Sequence, residues 1–159
     1  MRSASALFST ARWQGCRFSE LTLQELQLIH MARQEVFVVE QQCAYVDADC
    51  FDEQAFHLAA WAPTHRLPLA YARVVDPGVK YPEPSIGRVL TSAAGRGRGL
   101  GRELVQLAVA HTIEAFPGQG IRISAQSHLA AFYQSVGFGA VGECYLEDGI
   151  PHIQMLRPG

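Results

Sequence analysis

The sequence has no apolar run approaching the ~18 residues that a membrane-spanning helix requires, so a soluble protein is expected. It has no marked excess of either charge: 13 Lys and Arg stand against 15 Asp and Glu, a net charge of -2. That balance lacks the basic footprint that nucleic acid or an anionic membrane attracts. The four cysteines, Cys16, Cys43, Cys50 and Cys144, form no Cys-x-x-Cys pair and show no zinc-like spacing. Free thiols in a reducing cytoplasm are expected, rather than a disulfide framework or a metal site. Repeats, low-complexity tracts and internal linkers are also missing.

What is present suits one compact unit. The chain has 159 residues, 48% of them hydrophobic, enough to bury a sizeable core. The Ser- and Ala-rich start has no helical periodicity, so residues 1–10 are expected to be a flexible terminus and residues 11–159 a single domain.

The order of elements follows from local signals. Trp13 to Phe18 reads as a strand, and Thr22-Leu23-Gln24-Glu25 has capping-box spacing, so a helix should start there. Its buried side is expected to carry Leu23, Leu26, Ile29, Val36 and Phe37, ahead of a polar, acid-rich loop from Glu40 to Gln54. His57–Ala62 and Leu69–Val75 read as a hairpin, and Ile86–Thr91 as the next strand. From Leu100 a helix should run to Pro117-Gly118, with Leu100, Leu104, Leu107, Ala108 and Phe116 on its apolar face. Ile121–Ala125 is a further strand, followed by a short helix capped by Ser127 and ended at Gly137. Asp148-Gly149, between Val141–Leu146 and Ile150–Met155, signals a closing hairpin. The fold class is mixed α/β (α+β): a mixed central sheet, flanking helices and a terminal β-hairpin.

Arg96-Gly97-Arg98-Gly99-Leu100-Gly101 stands where a strand passes into a helix. Its glycines let the main chain approach a ligand closely, and the unpaired amides of a first helical turn favour an anion. Arg96 and Arg98 add charge-assisted donors. The spacing matches neither the P-loop, since no Gly-Lys-Ser/Thr follows, nor Gly-x-Gly-x-x-Gly, so a different phosphate ligand is implied.

That hexapeptide resembles the R/Q-x-x-G-x-G/A signature of the Gcn5-related N-acetyltransferase (GNAT) superfamily, and Tyr133-Gln134-Ser135-Val136-Gly137-Phe138 resembles its Tyr-x-x-x-Gly-Phe helix end. More narrowly, Arg33–Gln41, Tyr45–Asp52, His57-Leu58 and Tyr145–Ile153 resemble the ElaA branch. The resemblance covers nearly the whole chain. It implies a GNAT-like acyl-CoA N-acyltransferase fold, acetyl-CoA as co-substrate without a metal, and a small-molecule or peptide amine as acceptor. It places Val89, Leu90 and Thr91 along the pantetheine arm, Arg96 to Gly101 (Arg96, Gly97, Arg98, Gly99, Leu100 and Gly101) around the pyrophosphate, and Gln126 near the arm where many members carry Asn. A main-chain amide near Leu90 or Thr91 is then aimed at the thioester oxygen.

Tyr133 is the residue expected to serve the departing thiolate. An alkyl amine has a pKa near ~10 and must lose a proton before it attacks, so a base or water relay is needed. Glu40 and His57 are the first candidates, with Asp49, Asp52, Glu143 and His152 behind them. Two other functions stay open. Arg33-x-x-Val36-Phe37 with Asp47, Asp49 and Asp52 also resembles acyl-homoserine-lactone synthases, and a non-catalytic CoA-binding module is the third reading. Asp47, Asp49 and Asp52 lack the Gly and distant Glu of a calcium loop, so no metal is expected. Whether the chain forms a homodimer is likewise open.

Overall fold

The computed structural model describes residues 11–159; the expected flexible terminus, residues 1–10, lies outside them. One seven-stranded sheet runs through these residues in the order β1-β2-β3-β4-β5-β7-β6. Its strands are β1 (Arg12–Arg17), β2 (Ala55–Trp61), β3 (Ala70–Val75), β4 (Ser85–Thr91), β5 (Ile121–Gln126), β6 (Gly139–Glu147) and β7 (Ile150–Arg157). Three helices flank it: α1 (Leu23–Arg33), α2 (Leu100–Ala115) and α3 (Ala130–Gln134). All neighbouring strands are antiparallel except β4 and β5.

Helix α1 begins as its sequence dictates. The Thr22 hydroxyl accepts from the Glu25 amide at 3.0 Å, and the Glu25 carboxylate accepts from the Thr22 amide at 2.9 Å. Its buried face differs from the expected one, however. Leu28, Ile29, Ala32 and Arg33 are buried, whereas Leu23 is 87% exposed. A guanidinium sealed against the sheet breaks the apolar rhythm from which the face was read. Beyond Arg33 the chain widens into turns from Gln34 to Glu40, and the Gln41 amide reaches the Val36 carbonyl five residues back.

Helix α2 buries Leu100, Leu104, Val105, Ala108, Val109 and Thr112. Leu107, expected on that face, is 37% exposed. Before α3, Ser127 does not cap as expected; its hydroxyl turns to the Cys144 sulfur at 3.6 Å. Gly137 takes the expected left-handed stop, with φ +99°. The β6–β7 turn places Asp148 and Gly149 at φ +50° and +77°, the backbone hand that a two-residue hairpin requires.

Two cores result, one on each face. Leu58, Ala60, Ala70, Ala72, Val74 and Ile86 pack with α2, whereas Ala59, Tyr71 and Leu90 pack with Ile29, Ala32 and Val36. Side chains alternate along β2 and β3 as a pleated strand demands. Strand β4 breaks that alternation. Its register against β3 shifts between Gly87 and Leu90, where two residues oppose Ala72 alone. Arg88, at φ +52°, takes up the irregularity as a β-bulge.

Candidate active site

The bulged strand forms one wall of a gap in the sheet. Strands β4 and β5 keep register only at Ser85 and Arg122, although they run on to Thr91 and Gln126. Beyond that pair they part, and a cavity of about 670 Å³ opens between them. Val89, Leu90 and Thr91 line one side, Ser124, Ala125 and Gln126 the other.

The backbone decides which amide faces the gap. The Ser92 amide donates to the Leu69 carbonyl at 3.0 Å, and Ala70 stands opposite Thr91. In an antiparallel ladder the amides of successive residues point to opposite sides, so Leu90 donates toward β3 and Thr91 points into the gap. On that same side the Thr91 carbonyl accepts from Arg96 Nε at 3.2 Å.

Above the gap lies the start of α2. Gly97 and Gly99 have φ of +75° and +76°, the left-handed region that a side chain disfavours. Gly99 stands at the cap with no side-chain bond to the first turn, and the Glu103 amide is the one that returns to the Gly99 carbonyl. No heavy atom lies within 4 Å of the place a Cβ would take at Gly97 or Gly99. Open space over unpaired amides fits a phosphate group. Gly101 passes close to Thr91, with its Cβ position 3.7 Å from the Thr91 methyl. Leu100 is buried in the core beneath the loop, and Arg98 is exposed beside it.

Tyr133 enters the cavity from α3. Its ring meets Phe132 and Phe138 edge-on, and among the described residues its hydroxyl has no hydrogen-bond partner. Burial pushes its pKa up to about 12, so the phenol keeps its proton at neutral pH. Gln126 also lines the cavity and donates to the Gln41 side chain at 3.1 Å, tying β5 to the end of the first helical region.

The two first candidates for the base do not line this cavity. His57 is 1% exposed, and both ring nitrogens are engaged. Nε2 donates to the Asp52 carbonyl at 2.8 Å, and Nδ1 accepts from the Tyr71 hydroxyl at 2.7 Å. Burial also lowers its pKa, so the ring is held neutral as part of the core. Glu40 pairs with Arg96 at 2.6 Å, outside the cavity. His57 stands on β2 opposite Arg73, with β3 between its strand and β4, so it is remote from the gap.

The aspartates of the expected polar loop are engaged in ion pairs. Asp47, Asp49 and Asp52 meet Arg33, Arg73 and Arg88, three carboxylates against three guanidiniums. Arg33 holds Asp47 and Asp52, each at 2.7 Å. Arg73 grips both oxygens of Asp49, at 2.5 and 2.8 Å, and also reaches Asp52 at 2.7 Å. Arg88 at the bulge lies 2.9 Å from Asp47 and 3.2 Å from Asp49. The aspartates therefore neutralise buried arginines and clamp the bulge.

Sequence reasoning held His152 only as a secondary candidate for the base and did not single out its partner Glu147. His152, on β7, lies 3.2 Å from Glu147 and lines the cavity with it. Its Nδ1 must carry a proton, since it donates to the Ile150 carbonyl at 2.7 Å. A neutral ring therefore presents the Nε2 lone pair on the Glu147 side. Tyr145 stacks on the same ring and bonds Ser124 across the strands. The Asp-Gly turn that brings Glu147 back to His152 was the available signal.

Known proteins share this sequence and fold. Residues 28–157 match the acetyltransferase (GNAT) domain family. A UPF0039 protein of Synechocystis is 44% identical over 91% of this chain and 93% of its own. Protein ElaA of Escherichia coli is 38% identical over 91% of this chain and 95% of its own. The crystal structure of an acyl-CoA N-acyltransferase from Pseudomonas aeruginosa superposes with a TM-score of 0.87 at 42% identity, covering 93% of this chain and 99% of that one. The chain thus belongs to the GNAT acyltransferase family, in its ElaA-like branch.

Proposed function

We propose that the chain is an N-acetyltransferase that moves the acetyl group of acetyl-CoA to the primary amine of a small molecule or peptide, by direct attack in a ternary complex. The observation that carries this reading is the parting of β4 and β5 beneath the uncapped start of α2, with the Tyr133 hydroxyl in the same cavity. A family that uses CoA-linked acyl donors supplies the donor class; the acetyl group and the amine are our reading.

The amides around Gly97, Gly99, Leu100 and Gly101, with Arg98, hold the pyrophosphate, and the exposed edge of Val89 to Thr91 pairs with the pantetheine arm. Arg96 closes the end of that arm, steadied by Glu40. The Thr91 amide stabilises the oxygen charge that grows as the amine adds to the thioester carbon. Carbon–nitrogen bond formation and carbon–sulfur cleavage then leave a thiolate. An ordinary thiol has a pKa of about 8.5, below that of Tyr133, so the phenol serves the sulfur as a hydrogen-bond donor and keeps its own proton.

The proton lost by the amine goes to His152 Nε2. Once protonated, that nitrogen donates to Glu147, which stabilises the imidazolium. This role replaces the one expected of Glu40 and His57.

The test is release of free thiol from acetyl-CoA across a library of primary amines. Amine-dependent release supports the reading. Release of methylthioadenosine from S-adenosylmethionine in its place identifies a lactone synthase, and tight acetyl-CoA binding without any thiol identifies a binding module.

A further inference from the structure

The acceptor end of the cavity carries an ammonium that Glu147 and Asp49 influence only at a distance. Lys80, in the turn between β3 and β4, lines the cavity together with Ser124, Glu147 and His152. Among the described residues its ammonium makes no hydrogen bond and no ion pair; it lies 5.4 Å above the Tyr81 ring. The arginines nearby are each ion-paired. Arg88 and Arg73 are neutralised within the three-carboxylate cluster, and Arg122 is held by Glu83 at 2.9 and 3.0 Å. Burial lowers the Lys80 pKa and Glu147 works against that, so an anion arriving beside it further favours the charged form.

With the aspartate cluster neutral, two poles remain at this end. Lys80 is the positive one, and the cavity-lining carboxylates of Glu147 and Asp148 are the negative one. A simple alkyl amine uses only the second. A molecule that carries both an ammonium and a carboxylate uses both.

Resting on the acetyltransfer reading above, we propose that the acceptor is an amino carboxylate, an amino acid or a close derivative, whose carboxylate is bound by Lys80 while its amine faces Glu147 and His152. Lys80 is then a specificity-determining residue for the acceptor and takes no part in proton transfer.

Matched acceptors test this. Thiol release from acetyl-CoA is measured with L-leucine against isopentylamine, L-phenylalanine against phenethylamine, and 4-aminobutyrate against propylamine. A charge-assisted bond to the carboxylate gives at least one carboxylate-bearing member of these pairs a kcat/KM about tenfold or more above its partner. Lys80→Met removes that preference through KM with kcat nearly unchanged, and Lys80→Arg retains it. Equal or better turnover of all the bare amines overturns the amino-carboxylate proposal and leaves acetyltransfer standing. A second measurement is independent of turnover: calorimetric titration of the CoA-loaded protein with N-acetyl-L-leucine and N-acetyl-L-phenylalanine against their decarboxylated counterparts. A preference for either carboxylate that Lys80→Met abolishes supports the subsite even if no amine is acetylated, an outcome that sinks acetyltransfer alone. No preference in either measurement overturns the subsite.

Discussion

Ile86 and Leu90 stand four residues apart on one strand yet pack into opposite faces of the sheet. In an unbroken strand residues of equal parity share a face, so the inversion is the signature of the extra residue at Arg88. It is what lets β4 turn its last residues toward the gap while Leu90 stays in the core under α1. Arg88 sits in the left-handed region, where Ala is disfavoured relative to Gly by roughly 1 kcal/mol. In an ordinary strand Gly is the weaker residue of the two. At this position the order should invert: Arg88→Gly should unfold at higher urea than Arg88→Ala, although both lose the ion pairs to Asp47 and Asp49.

Tyr133→Phe removes one hydroxyl from the cavity and keeps the ring packed on Phe132 and Phe138. Under the proposed mechanism kcat falls by about a hundredfold, the scale of losing one transition-state donor, while the dissociation constant for acetyl-CoA measured by calorimetry changes little. Unchanged turnover would take Tyr133 out of the chemistry.

Gly99→Ala places a methyl where φ is +76° and where a phosphate should sit over the amides. The strain costs about 1–2 kcal/mol, and acetyl-CoA affinity should weaken by tenfold or more. Glu40→Gln, which loosens Arg96 without touching the cradle, should weaken affinity far less. Calorimetry on both variants separates the two contributions.

Acid should destabilise the fold in two steps. His57 has a lowered pKa through burial, as do His30 and His111. A group whose folded pKa lies below its unfolded value contributes stability that is present above the unfolded value, about 6.5 for histidine, and lost as pH falls through the folded one. For Asp52 burial opposes ionisation, but the hydrogen bonds and charges of Arg33 and Arg73 outweigh it; for Asp49 those of Arg73, then Arg88, do the same. Their contribution disappears lower, as pH falls below about 3.9. Urea midpoints measured from pH 8 to 3 should show a first decline beginning near 6.5, which His57→Gln shrinks but does not abolish, because His30 and His111 remain.

Asp52→Ala should cost about 3–5 kcal/mol at neutral pH, because it strips a shared acceptor from two buried guanidiniums. Chemical denaturation reads this directly. A loss under 1 kcal/mol would mean that water enters the cluster and replaces the carboxylate.

Much of this architecture is local enough to be legible in the sequence. The Thr22–Glu25 box, the Asp148-Gly149 turn and the glycines before Leu100 each encode their geometry within a few residues. What escaped was non-local. The burial of Arg33 depends on Asp47 and Asp52, 14 and 19 residues away, so the apolar rhythm of α1 alone could not place it on the buried face. The same cluster turned an apparently polar loop into a buried clamp. His57 looked available because histidines titrate near neutrality, but Tyr71 and Asp52 engage both of its nitrogens. The bulge has no alternation signal of its own, so only the register against β3 reveals it.

The absence of a side-chain cap at Gly99 reaches beyond the site. A helix of 16 residues that opens on unsatisfied amides is an incomplete structural element, and the missing part is external. Any phosphate donor that completes it binds the folded chain and has nothing to bind in the unfolded one. Folding and donor supply are thereby coupled: a hundredfold excess of donor over its dissociation constant adds about 2.7 kcal/mol to the stability of the whole domain. Under the proposed function, the stability of the domain thus rises with the concentration of its acyl-CoA donor.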